Sequence, residues 1–191
     1  MKAEGRHPGK ASNRVAFTLG AVAVLKTERL VLRPMVADDV DELLGIFGDP
    51  LVMAAFGEAP FVQDQMYSWL ERNLAHQRRH GFGLFAACLK GDGRLIGDCG
   101  LELMEVAGEQ VAELGYDFRS DCWNQGYATE AACAVRDYAF TTLQLPRLVS
   151  LVRPGNRASA RVAEKIGLKK VEQIQRYGRA YLRYEIENTT G

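Results

Sequence analysis

Residues 113–131 read Glu-Leu-Gly-Tyr-Asp-Phe-Arg-Ser-Asp-Cys-Trp-Asn-Gln-Gly-Tyr-Ala-Thr-Glu-Ala, and the run of helix formers continues to Leu143. The first part alternates. Ala112, Leu114, Tyr116 and Phe118 fall on one face and Val111, Glu113, Gly115 and Asp117 on the other, which predicts a strand. Arg119 to Cys122 makes a turn. From Gly126 the apolar positions Ala128, Ala131, Ala132, Val135, Tyr138 and Ala139 recur at three and four residues, with no proline before Pro146, so a helix of about four turns is predicted. A helix entered through glycine straight after a strand leaves its first N–H groups pointing at whatever lies above them, and such an end binds anions, phosphates above all. Gly126 lets a ligand approach the backbone, and Ala128 and Thr129 keep the next positions small. A glycine before a helix is also an ordinary cap, and the residues alone leave both readings open.

Upstream, Thr27 to Pro34 alternates Leu30 and Leu32 against Arg29, Val31 and Arg33, a strand ended by Pro34. Ala37 to Phe47 carries Val40, Leu43, Leu44 and Phe47 at helical spacing, with Asp38, Asp39 and Asp41 at the end where the dipole favours them. Gly48 to Pro60 reads as a long loop with exposed-looking Met53 and Phe56, followed by Phe61. Gln63 to His80 is a second helix, with Met66, Trp69, Leu70 and Leu74 inward. Phe82 to Leu89, Arg94 to Met104 and Val111 to Phe118 are three strands joined by short glycine-bearing connectors, hence antiparallel hairpins. Downstream come a strand (147–152), a helix (156–166) stopped by Gly167, and two closing strands (168–173 and 180–187).

The chain of 191 residues is long enough for one full core and short for two domains. Its 47% apolar and 25% charged residues suit a globular protein, and Lys plus Arg balance Asp plus Glu at 24 each, so no global charge points to nucleic acid or an anionic membrane. Cys88, Cys99, Cys122 and Cys133 share no metal-ligand spacing and are expected to be reduced; His7, His76 and His80 form no metal or triad pattern. Residues 1–24 lack a signal-peptide core and are expected to be a loose arm ahead of a domain over 25–187, with a tail over 188–191. No run is long enough to span a membrane, and a cytoplasmic location is the expectation.

The segment Trp-Asn-Gln-Gly-Tyr-Ala-Thr-Glu-Ala (123–131) resembles the acyl-CoA pyrophosphate loop of the GNAT superfamily of N-acyltransferases. More narrowly, it resembles the ribosomal-protein N-terminal acetyltransferase branch, where Trp-Gly-x-Gly-Tyr-Ala-x-Glu-Ala is typical. Asn124 stands in place of a glycine there, which implies a left-handed backbone. Thr-Glu-Arg-Leu-x-Leu-Arg (27–33) resembles the opening strand of the same branch, and Asn156 to Leu168 resembles the family's Asn-x-x-Ser helix. The resemblance covers residues 27–187. It implies an α/β fold, a single GNAT domain with a mixed, mostly antiparallel sheet flanked by helices, and acetyl-CoA as co-substrate without a metal.

The same resemblance implies roles. Leu114, Gly115 and Tyr116 pair their backbone with the pantetheine arm; Gln125, Gly126, Tyr127, Ala128 and Thr129 hold the pyrophosphate; Asn156 contacts the cofactor arm and Ser159 lies near the thioester sulfur. Glu113, a lone carboxylate in a buried-looking strand, is read equally well from the residues as solvent-facing or Arg-paired, and the resemblance makes it the general base. A bulge at Gly115 is expected to splay this strand from the next and to free amides for the oxyanion. Asn156 and Ser159 are also a plain cap and first-turn residue. Many relatives carry a tyrosine acid where Ala163 stands, which leaves Ser159, Tyr177 or Tyr181 as proton donor. Arg153, Arg157, Arg161 and Lys165 form a basic stripe that either meets the 3′-phosphate of CoA or is a solvated face.

The implied reaction is acetyl transfer from acetyl-CoA to a primary amine, a protein N-terminus such as a ribosomal protein's, by direct transfer. The alternatives are a small-molecule or antibiotic amine, or a non-catalytic acyl-CoA-binding module. A P-loop nucleotide binder lacks its Gly-x-x-x-x-Gly-Lys string here. A monomer and a homodimer are both compatible with the sequence.

Overall fold

The computed structural model describes residues 23–106 and 108–189. The elements run β1 (Leu25–Lys26), β2 (Leu30–Pro34), α1 (Val40–Phe47), α2 (Pro50–Ala54), α3 (Gln63–His80), β3 (Leu84–Leu89), β4 (Leu95–Val106), β5 (Glu109–Phe118), α4 (Tyr127–Thr141), β6 (Arg147–Val152), α5 (Arg157–Lys165), β7 (Lys169–Arg176) and β8 (Arg179–Glu187). The expected N-terminal arm falls outside the described residues except for its last two, and so do the last two residues of the expected tail.

The strands form one sheet in the order β1-β2-β3-β4-β5-β6-β8-β7. Every pairing is antiparallel except β5 with β6, which α4 connects as a crossover. Each face buries its own apolar cluster. Leu101, Leu114, Phe118 and Leu148 pack on Ala132 and Val135 of α4 and Ala163 of α5. On the opposite face, Leu84, Ala86 and Leu95 pack on Leu43 and Ile46 of α1 and on Met66 and Leu70 of α3.

A bulge decides which side chains of β4 look which way. Ala87 pairs with Gly97 and Cys88 with Leu95, so Ile96 is the extra residue. Because side chains alternate with a period of two, one extra residue exchanges the faces: Leu95 belongs to the α1–α3 cluster, while Ile96, Cys99 and Leu101 belong to the α4–α5 cluster. Downstream of it, Asp98 pairs with Asp117, Gly100 with Gly115 and Glu102 with Glu113. These six share the face toward α1 and α3.

Three expectations are corrected. The first full strand begins at Leu30, because the Thr27 hydroxyl accepts the Leu30 N–H at 2.9 Å and turns the chain before it. The 48–60 segment contains α2, whose Asp49 caps the Leu51 N–H at 2.8 Å and whose Pro50 occupies the first turn. Its Val52 and Met53 are buried rather than exposed, and Phe61 stacks on Phe47 with ring centroids 5.6 Å apart. Finally, β5 carries no bulge at Gly115, since its register with β4 runs unbroken from Phe118 to Glu109. The splay lies on the other edge, where β5 and β6 share only the rung Glu113 to Val149.

The two facing glycines make different demands. A Cβ on Gly100 would stand 2.2 Å from the Gly83 carbonyl oxygen, whereas one on Gly115 would meet nothing within 4 Å. Gly100→Ala is therefore expected to lower stability by about 1–3 kcal/mol or more through overpacking, and Gly115→Ala to leave the unfolding midpoint close to wild type. Denaturant unfolding of the pair checks this, and equal midpoints would contradict the packing argument.

Candidate active site

The N-terminus of α4 is held from a distance by one carboxylate. Glu130 accepts the Thr27 hydroxyl at 2.5 Å and the Arg29 N–H at 2.8 Å through Oε1, and Arg29 Nε at 2.7 Å through Oε2. Burial works against its charge, but these three donors outweigh it and hold the carboxyl below its usual range. Arg29 also donates to the Gln125 carbonyl at 2.9 Å and lies 4.3 Å from the Tyr127 ring centre. The loop is braced on its other side by Trp123 Nε1 to the Phe118 carbonyl at 2.8 Å and by Gln125 Nε2 to the Asp121 carbonyl at 3.1 Å. Asn124 takes the left-handed backbone expected of it, φ 60°.

The helix opens on Gly126 at φ 86°, and no side chain caps it. The first N–H groups of an α-helix have no partner within the helix, so the end around Gly126, Tyr127, Ala128 and Thr129 presents donors and a positive dipole. That is the chemistry a pyrophosphate needs, and the residues fit such a group.

Ahead of this end in the chain, β5 parts from β6. Just past their shared rung, the Leu151 N–H on β6 is taken by the Glu113 side chain, Oε1 at 3.2 Å, in place of a strand carbonyl. Burial, reinforced by Glu102 opposite, pushes the Glu113 carboxyl up to about 7, against the pull of the Leu151 N–H and of Arg176. A carboxylate poised there suits a general base near neutrality.

On the opposite face of β5, the Tyr116 hydroxyl donates to the Ser159 carbonyl at 2.7 Å and accepts from Ser159 Oγ at 3.2 Å. Asn156 caps α5 by accepting the Ser159 N–H at 3.0 Å. Burial pushes the Tyr116 phenol up and keeps it protonated. The structure thus joins Tyr116 and Ser159 across the splay, and it places Ala163 fully buried beneath α5.

The remaining expected residues scatter. Tyr177 is 86% exposed in the β7–β8 turn, and Tyr181 faces Arg153, whose guanidinium carbon is 5.5 Å from its ring centre. Arg153 is therefore turned away from the stripe, while Arg157, Arg161 and Lys165 lie exposed along α5. The four cysteines are free. Among the described residues no group of three or more His, Cys, Asp or Glu is gathered for a metal ion, and no helix is long and apolar enough to cross a membrane. Sequence reasoning missed the Arg29–Glu130 clamp, although both residues sit inside the two strings that carry the resemblance. It also missed Asp98 and Asp117, detectable only once the hairpin register sets them opposite each other.

Comparison with known proteins identifies the fold. A family model described as an acetyltransferase (GNAT) domain matches residues 29–169. The protein YkkB of Bacillus subtilis (strain 168) is 35% identical over 168 residues, covering 87% of this chain and 97% of its own. The crystal structure of an acetyltransferase from Agrobacterium tumefaciens str. C58 is 33% identical, with a TM-score of 0.76 over 96% of this chain and 99% of that one. Two others share the fold at low identity. A ribosomal-protein-S5-alanine acetyltransferase from Vibrio fischeri has 17% identity and TM-score 0.69, covering 88% and 98% of the two chains. An aminoglycoside acetyltransferase in complex with coenzyme A has 16% identity and TM-score 0.69, covering 83% and 94%.

The clamp yields a test. Glu130→Ala strands the Arg29 N–H and the Thr27 hydroxyl, and an unpaired donor costs about 1–3 kcal/mol. The variant is expected to unfold earlier and to raise the acetyl-CoA dissociation constant severalfold, measured by denaturation and by calorimetry. Unchanged binding would mean that the loop keeps its shape without Glu130.

Proposed function

Because the chain belongs to the GNAT family of acetyltransferases, it is an acetyl-CoA-dependent N-acetyltransferase, and we propose that Glu113, the Gly115–Tyr116 backbone and Ser159 carry its transfer to a primary amine. The observation that supports this most is the half-buried Glu113 carboxyl at the point where β5 leaves β6, on the strand that leads into the uncapped, glycine-opened end of α4. A non-catalytic binding module has no use for a carboxylate held near 7 in a splayed strand.

Acetyl-CoA supplies the acetyl group as an activated thioester. The amides at the start of α4 bind its phosphates and fix the register of the arm between β5 and β6. Glu113 takes a proton from the acceptor ammonium, so that its nitrogen attacks as a neutral amine. The C–N bond forms as the C–S bond breaks, and the Gly115–Tyr116 amides stabilise the charge that develops on the carbonyl oxygen. The departing sulfur takes a proton. Tyr116 has committed its only proton to the Ser159 carbonyl, so the donor is Ser159 Oγ, which has to leave the longer bond to Tyr116 to reach the sulfur; the second proton that the nitrogen sheds as the amide forms restores the serine hydroxyl.

The acceptor is a primary amine, and the branch resemblance favours a protein N-terminus. Coenzyme A release across a panel of N-terminal peptides and small amines tests the reading. Release with at least one acceptor is expected; binding of acetyl-CoA without release from any would leave only the binding module.

Two variants test the roles. Glu113 works as a base only when deprotonated, and its folded value is raised to about 7, so kcat/KM of the wild type should climb as pH rises through about 7. Glu113→Gln should lose about 10²–10⁴-fold at neutral pH and lose that limb of the profile; an unaltered profile would assign deprotonation elsewhere. Ser159→Ala should be rescued by an acyl donor with a more acidic leaving thiol, whereas Glu113→Gln should not. If Ser159→Ala shows no loss with acetyl-CoA, Ser159 is a first-turn residue only.

A further inference from the structure

Arg153, the residue after β6, is protonated throughout the working pH range, and among the described residues no carboxylate forms an ion pair with it. Its Nη1 is buried and has no hydrogen-bond partner. Glu58 feels its charge but bonds to Arg179 Nη1 instead. The guanidinium lies between Gly57, where a Cβ would stand 3.3 Å from Nη2, and Tyr181, with its carbon 5.5 Å from the ring centre. A ring face offsets only part of a cation's charge, and a buried N–H on a charged group is costly to leave unpaired. The side chain calls for an anion.

Its position says which one. Glu113 pairs with Val149 and accepts the Leu151 N–H, and Leu151 packs with Val149 and Val111. Arg153 is two residues further along, about 7 Å, and its contact with Gly57 keeps it on the side of α2, whose Val52 and Met53 belong to the α1–α3 cluster. The helix whose end is given the donor's phosphates, α4, packs on the opposite face. The anion therefore comes with the acceptor. A phosphate brings close to two negative charges, with Glu58 alongside, whereas a carboxylate brings the single charge that one unpaired arginine balances and fits its fork through two parallel N–H bonds.

We propose that Arg153 selects the acceptor by a carboxylate, held on the guanidinium between Gly57 and Tyr181 while the reacting amine stands at Glu113. The proposal rests on the role given to Glu113. The same chemistry has two sources, the α-carboxylate of a free amino acid and an acidic side chain at the first position of a peptide. An acceptor whose carboxyl is an amide leaves the guanidinium unpaired and binds more weakly.

Two matched pairs of acceptors test this: alanine against alaninamide for the free amino acid, and the tripeptide amide Glu-Ala-Ala against Gln-Ala-Ala for the peptide. In one pair the acid is expected to give a kcat/KM for coenzyme A release about tenfold above that of its amide, and in Arg153→Gln the ratio is expected to fall to about twofold or less. Most of that loss should appear in KM. Arg153→Met, which keeps the aliphatic stem, serves if Arg153→Gln does not fold. A ratio near one for both pairs in wild type, or a ratio unchanged in the variants, overturns the proposal; an unfolding midpoint lowered together with equal losses for acid and amide assigns Arg153 to packing alone. Titration calorimetry on the full chain saturated with coenzyme A separates this from the proposed catalysis. Release without acid preference sinks the role of Arg153 alone; Arg153-dependent binding of the acid without release from any acceptor sinks the role of Glu113 alone; neither release nor preference sinks both.

Discussion

The parting of β5 from β6 is the constraint on which the rest depends. Two parallel strands that stayed paired would satisfy each other's amides and leave no room between them. Here the ladder holds at Glu113 and Val149, and the next β6 N–H is satisfied by the Glu113 side chain. The break therefore costs less than an orphaned amide would. It also fixes Glu113: the carboxylate that terminates the ladder stands at the mouth of the gap. Past that point the Gly115 and Tyr116 backbone is released from β6, and Tyr116 reaches across to α5 and ties it to the far lip through Ser159. The gap is thus pinned open at both edges rather than left loose.

The charge state of Glu113 follows from the same geometry. Burial and Glu102 raise it, while the Leu151 N–H and Arg176 lower it. With burial alone the group would be a protonated bystander, and with the N–H and the arginine alone it would be an ordinary weak base. The balance near 7 leaves a comparable share of each form at neutral pH, the condition under which a group both accepts and releases a proton within a turnover. Ladder termination and the proposed catalysis use the same bond to Leu151, so a change that re-zipped β6 onto β5 would alter both at once.

Much of this was legible in the chain. Alternation and glycine connectors gave the hairpins, three- and four-residue spacing gave α3 and α4, and the glycine at 126 marked the start of α4. Asn124 was read as left-handed from a single substitution in a loop string. Legibility stopped where the deciding fact was a register or a long-range contact. The bulge at Ile96 has no signature in composition, yet it turns Asp98 and Glu102 to the α1–α3 face. Arg29 and Glu130 lie 101 residues apart and meet only in the folded sheet. Tyr116 was read for its backbone because a strand period says which face a side chain takes, not which hydroxyl it meets. The 48–60 segment looked like loop because α2 is a single short turn whose core-facing side is just Val52 and Met53.

The two faces of the sheet divide the proposed chemistry. On the α4–α5 face lie the phosphate-binding helix end and the Tyr116–Ser159 pair; on the α1–α3 face lie Glu113, the open space over Gly115 and Arg153. The donor and acceptor sides are therefore separated by the thickness of one strand layer, and they communicate only where β5 and β6 have parted. A thioester carbon placed in that gap is open to attack from the α1–α3 face while its sulfur departs toward Ser159 on the other. Attack and departure from opposite faces need both partners present together, with no enzyme nucleophile in between.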